Sequence, residues 1–404
     1  MRLSLLIVFF TLVTVSGYAQ TDPIIVFGKI NQQELDMQYY PLDSLAEAVM
    51  IYEKQYIDYS NYNGLQMNAT YHGRIKILKT SGLDRANIIL PFYKMEQGNE
   101  YINDIEAYTY NYENGKLITT VFKPSSVVEE KVSETSYIKK IFLENVKVGS
   151  VIEYRYVRNT PLSVVSSPRD WYFQSNIPMQ WSEFVISIPS MLVYRALFSG
   201  YLPLHINTVQ PSKQSNTGYK EQLCRYVVKD APAFKNEPFI TSRKEYLAKV
   251  EFGLVSYALG TSGYFKQMAE TWGDVGVYLT KHEDFGQRIL KPKYLNEIVK
   301  QLATLTDTTQ RINAAFNYIT TNFAWDEHAA LMAEHDLKTV FENKKGSAAE
   351  INLLLVALLK ALGIETYPVI LSTRDNGAFS EEFPLLNKFT DLGLLLMNKK
   401  RVDL

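Results

Sequence analysis

Ser347, Glu350 and Asn352 open a run of apolar residues, Leu353 to Leu362, that reads as a buried helix. Serine with glutamate three places later is a capping-box pattern, which sets Ala348 at the first helical position. The positive end of a helix dipole lowers the pKa of a thiol placed there and holds the thiolate. Alanine offers only a methyl group. Ser347 would need a base within hydrogen-bond reach to act as a nucleophile, and helix capping accounts for it without one. Glu350 reads as the reciprocal cap. Asn352, inside an apolar helix, needs a partner if buried, and is expected to hold the segment near Asp391.

Glu327, His328, Glu334, His335 and Asp336 form the densest group of metal-ligand types. The two histidines stand seven apart, about 10 Å along a helix, whereas helical zinc motifs use a spacing of four. The group therefore reads as a solvated loop beside a cleft. His328 and His335 would ligate a metal only if a loop folded them together, so no metal and no cofactor is expected. Trp325, just upstream, packs in a core or, by the resemblance given below, lines the floor of that cleft. Cys224 is the only cysteine and lies in a strand-like run, Leu223 to Val228, where a buried thiol is the default. An intramolecular disulfide is thereby excluded. His72 and His205 show no partner nearby in sequence and read as structural.

These residues need a frame. The chain has 404 residues with 42 Lys+Arg against 43 Asp+Glu, a balance that argues against nucleic acid as a partner. The 28 tyrosines and 20 phenylalanines suit half-buried sheet surfaces. Arg2, the apolar run Leu3 to Val15 and Gly17-Tyr18-Ala19 form an export signal over residues 1–19, with Gln20 as the mature N-terminus. Gln20 and not a cysteine stands directly after that site, so no lipid anchor is expected. Leu353 to Leu362 is too short to span a bilayer. Residues 21 to 41 read as a loose lead-in. Strands are expected at Thr70–Leu78, Tyr101–Asn111, Lys116–Phe122, Tyr137–Phe142, Val151–Val157, Phe184–Ile188, Val193–Phe198 and Glu221–Val228. Asn114-Gly115 is the best hairpin signal, and Gly149-Ser150 a second turn. They define an antiparallel β-sandwich-like domain over residues 40–245. Helical character follows at Tyr264–Leu279, Pro292–Leu302, Thr309–Phe323 (with Ile312, Ala315, Phe316 and Ile319 on one face), Leu337–Asn343 and 348–362. Strands at Glu365–Leu371 and Leu392–Met397 complete an α+β domain over residues 255–404. The sequence ends at Arg401-Val402-Asp403-Leu404, which reads as a stop inside a domain.

The run Lys344 to Asn352, then Val356 to Ile364 (VALLKALGI) and Tyr367-Pro368-Val369, resembles the transglutaminase-like superfamily, papain-like in fold. The run Arg74 to Leu78, the segment Ile141 to Glu153 and Trp171 to Gln174 resemble the β domain called domain of unknown function 3857. That domain precedes transglutaminase-like domains in exported bacterial proteins. Thr373 to Gly377 fits the same two-domain group. The resemblance implies a Cys, His, Asp triad in chain order. The cysteine position falls on Ala348, the histidine position near Asp391 within Asn387 to Leu394, and the aspartate position on Asp403. No histidine follows His335 and no cysteine follows Cys224, so a dyad in family order cannot be assembled.

The expectation is a non-catalytic transglutaminase-like protein of the cell envelope or periplasm. Its binding or structural role would involve an envelope protein, a peptide or a polysaccharide. The alternative is a hydrolase or acyl-transferase that uses carboxylates or the 327–336 cluster.

Overall fold

The computed structural model describes residues 22–61, 64–95, 98–133, 135–162, 167–212, 217–235, 237–258, 266–267, 271–290, 292–398 and 401–403. The expected export signal and Tyr264 lie outside these residues.

Alternating apolar residues fold the first region into strands. An eight-stranded sheet runs in the order Ile206–Pro211, Glu221–Ala231, Met179–Pro189, Ala48–Asn61, Leu65–Ile77, Val151–Pro161, Tyr101–Glu113, Lys116–Val121. All neighbours pair antiparallel except Ala48–Asn61 with Met179–Pro189, which are parallel. Asn114 and Gly115 both take positive φ, 49° and 78°, the geometry that closes a two-residue hairpin. Two smaller sheets pack against this one. Asn87–Met95 pairs with Ser136–Phe142, and Leu192–Ser199 pairs with Lys249–Tyr257. One apolar core joins all three sheets, from Ile57 and Phe184 to Phe92, Ile141 and Phe252. Lys249–Tyr257 straddles the gap between the two expected domain spans, and its pairing ties it to the first region.

The expected loose lead-in is instead anchored. Asn31 and Glu34 form a capping box on the short helix Gln32–Asp36. Glu34 then accepts two bonds from Arg74 Nη1, at 3.0 and 2.9 Å. Arg74 also reaches Glu153 Oε1, at 2.6 Å from Nη2, and the carbonyls of Val26 and Lys29. Glu153 further accepts the Tyr110 hydroxyl and the Gly28 amide. His72, expected to lack a partner, stands 2.7 Å from the same carboxylate. Arg74 and Glu153 are both essentially without solvent access. Burial pushes the Glu153 carboxyl up, but its bonds to His72 and Arg74 outweigh that and hold it below the ordinary value.

Among the described residues the second region carries five α-helices, Trp272–Lys281, Asn296–Leu302, Thr308–Asn322, Leu337–Asn343 and Ala348–Ala361. They pack with a small sheet of Thr366–Leu371, Asp391–Asn398 and Arg401–Asp403. The core centres on Ala348–Ala361, whose Leu353, Leu354, Val356 and Leu358 are fully buried. Gly363, φ 74°, turns the chain out of that helix, and Ile364 N bonds back to Leu359 O. Ala315 and Ile319 face the core as expected, but Phe316 is 53% exposed. A helical stripe wide enough to include it would exceed the face that Thr308–Asn322 presents to the core.

Candidate functional site

The entrance of Ala348–Ala361 is built by three converging segments. Phe323 ends the preceding helix, and Ala324–Trp325 pairs in parallel with Lys345–Gly346, Trp325 opposite Gly346. Asp326 N then donates to Gly346 O at 3.1 Å. The loop from Asp326 to Asp336 lies across the helix start. His328 O accepts from Ala348 N at 3.1 Å and from Trp325 Nε1 at 3.0 Å. The first amide of the helix, free in an unoccupied entrance, is here taken by this loop.

Ser347 and Glu350 form the expected box. Ser347 Oγ accepts from Glu350 N at 3.3 Å, and Glu350 Oε2 accepts from Ser347 N at 2.8 Å. Glu350 Oε1 also accepts from His335 N at 2.7 Å and lies 3.0 Å from His335 Nδ1. Burial raises this carboxyl, but the Ser347 and His335 bonds outweigh it and hold it below its ordinary value. A Cβ on Gly346 would stand 2.8 Å from Glu350 Oε2 and 2.8 Å from Val340 Cγ1. Glycine is therefore the residue that lets this acid fold over the entrance. Glu350 is fully engaged as an acceptor, and Ser347 is buried at 2% exposure. Neither is arranged as a nucleophile with a free base.

His328 and His335 do not converge. His328 Nε2 is 3.1 Å from Thr135 Oγ1 of the first region and its Nδ1 is 3.8 Å from Glu334. His335 turns to Glu350. Glu327 sits at φ 71° beside them. Among the described residues no three His, Cys, Asp or Glu side chains gather as a metal site. Trp325 is 54% exposed, so it does not pack in a core. Cys224 is buried in the first region's core, and burial pushes its thiol up.

Asn352 bridges the helix to the following sheet. Its Nδ2 donates to Leu392 O at 2.8 Å and to Ala348 O at 3.0 Å. Asp391 begins the strand so held, its Oδ1 accepting Leu392 N at 2.8 Å. Asp403 lies on the last strand opposite Leu396.

A second clamp was not legible from sequence. Lys388, almost fully buried, pairs with Asp170 Oδ2 at 2.7 Å and with Glu251 of the first region. Lys249 joins Glu251 at 3.0 Å. Leu385 fills the space left by Gly253, where a Cβ would stand 2.3 Å from Leu385 Cδ2. Asp170 and Glu251 are far from Lys388 in sequence, so no local pattern announced the pairing.

Two family models match this chain. That of a domain of unknown function, DUF3857, covers residues 65–234, and that of the transglutaminase-like superfamily covers residues 296–389. The second match contains Ala348 and stops just short of Asp391. A crystal structure from Parabacteroides distasonis ATCC 8503, described as a candidate protease, is similar to this chain with a TM-score of 0.63 at 13% identity. The likeness covers 87% of this chain, which spans 65% of the length of that one. At such identity it establishes shared fold. A comparison with curated proteins finds no match. The architecture is thus a β-rich region followed by an α+β transglutaminase-like region. Among the described residues no helix is long and apolar enough to cross a membrane.

Proposed function

We propose that this chain is a non-catalytic transglutaminase-like protein, exported to the cell envelope, with a binding or structural role toward a protein, peptide or polysaccharide partner. The observation that carries this reading is the helix entrance. A methyl group stands at Ala348, its amide is spent on His328 O, and the strand held by Asn352 begins with an aspartate. Thiol chemistry needs a sulfur at the first position and an imidazole facing it.

Purified mature chain is expected to give no amide hydrolysis and no amine incorporation above buffer. Ala348→Cys alone should remain inert. Ala348→Cys combined with Asp391→His should yield a thiol that alkylates faster at pH 6 than the single variant, because a facing imidazolium stabilises thiolate. Wild-type turnover that survives rigorous repurification would overturn the reading. The mass of the exported protein should correspond to a start at Gln20.

A second reading rests on the His335–Glu350 pair at 3.0 Å, a histidine–carboxylate couple available to a hydrolase or acyl-transferase of another kind. Turnover abolished by His335→Ala would favour it.

A further inference from the structure

The face of the eight-stranded sheet under the lead-in carries a concavity, lined by none of the residues of the helix entrance. The lead-in segment covers part of that face, and between them lies a cavity of about 560 Å³, a size usual for small-molecule sites. Ile25, Met37, Ile51 and Trp181 supply its apolar surface, and Lys229 and Asp230 stand in its wall. A regular strand sends successive side chains to opposite faces, yet these two neighbours line one cavity. The ladder pairs Met179 with Ala231 and Trp181 with Lys229 and steps over Asp230. Asp230 takes φ 52°, a region that non-glycine residues seldom occupy and that gathers at binding sites. A base and an acid are thereby set side by side, Lys229 Nζ 3.6 Å from Asp230 Oδ2. Both keep solvent access, at 25% and 43%. The Tyr40 hydroxyl, 3.5 Å away, steadies Asp230. Glu34, the other carboxylate at this cavity, is already engaged by Arg74.

We propose that this cavity binds a free α-amino acid with a large apolar side chain. Its ammonium and carboxylate leave the same carbon, so adjacent Asp230 and Lys229 pair with both at once while the side chain rests on the apolar surface. An exposed ion pair loses little when a ligand opens it. The inference is independent of whether the second region is catalytic.

The test is calorimetric titration of the full chain with L-phenylalanine. Saturable binding is expected. The analogues 3-phenylpropionate, without the ammonium, and 2-phenylethylamine, without the carboxylate, should each bind at least about tenfold more weakly, the value of one charge-assisted hydrogen bond. Asp230→Gly suits the positive φ, so it should keep the thermal midpoint and lose about tenfold in affinity. Lys229→Met, on the regular part of the strand, should do the same and decides the matter should the first variant fold poorly. Absence of saturable binding at millimolar L-phenylalanine, equal affinity for either analogue, or wild-type affinity in Lys229→Met would each overturn the proposal.

Discussion

In the first region the side chains with least solvent access include Arg74, Lys76 and Glu153; in the second they include Leu353, Leu354, Val356 and Leu358, with the charged Glu350 among them. Both regions seal a segment over a secondary-structure element, but by different physics. The lead-in is fastened to its sheet by a closed ionic network, with Lys76 Nζ capping Leu35 O and Gly149 O at 2.6 and 2.7 Å. The 326–336 loop is fastened over its helix by the Ala348 amide on His328 O and by the Glu350 carboxylate, which collects backbone and imidazole donors. A buried network gives little net stability against a well-packed apolar substitute, yet losing one member is severe. The first region is therefore the more brittle, and the second the more tolerant.

Arg74→Met should break this contrast most forcefully. It strands Glu34 and Glu153 as buried carboxylates, and a loss of about 3–5 kcal/mol in urea unfolding is expected. A loss near zero would show that the network is dispensable. The acid limb carries the same information. Glu153 is held below the ordinary value of 4.5, so its contribution is present above that value and is lost as pH falls through the lower folded pKa. Unfolding followed against pH should show a shallower acid-side slope in Glu153→Gln than in the wild type, the remainder coming from acids such as Glu350.

Glu350→Gln should come next, at about 2 kcal/mol. The amide places an NH₂ against a donor N–H of Ser347 or His335, so one bond becomes a clash of donors. Faster exchange of the His335 and Ser347 amides would confirm where the loss falls. Asn352→Leu should be mildest, about 1–2 kcal/mol, because it leaves Leu392 O without this donor. Amide exchange along Asp391–Asn398 should quicken, and a neutral result would remove Asn352 as the link between helix and sheet.

What sequence conveyed was local. The Ser347–Glu350 box, the Asn114-Gly115 hairpin and the glycine after Leu362 each depend on residues a few places apart, and each stands where expected. Asn352 found its partner beside Asp391 because an apolar helix leaves a buried amide few options. What escaped depends on distant partners. Asn87–Met95 carries Pro91 in mid-strand, which argues against a strand until Ser136–Phe142 supplies its neighbour. Lys249–Tyr257 belongs to a sheet begun at Leu192. His72 looked solitary because Glu153 is 81 residues away. Trp325 was balanced between cleft and core, and its exposure removes the core.

Lys388 and His328 give the two regions a shared fate. One reaches Asp170 and Glu251, the other Thr135, and each sits on a stretch that borders the start of Ala348–Ala361. A C-terminal half expressed alone would keep its helices but lose one anchor from each bordering stretch. Likewise, grafting a foreign front half would succeed only if it carried an acid pair for Lys388 and a hydroxyl for His328. The two parts are therefore expected to be inherited, and engineered, as one piece.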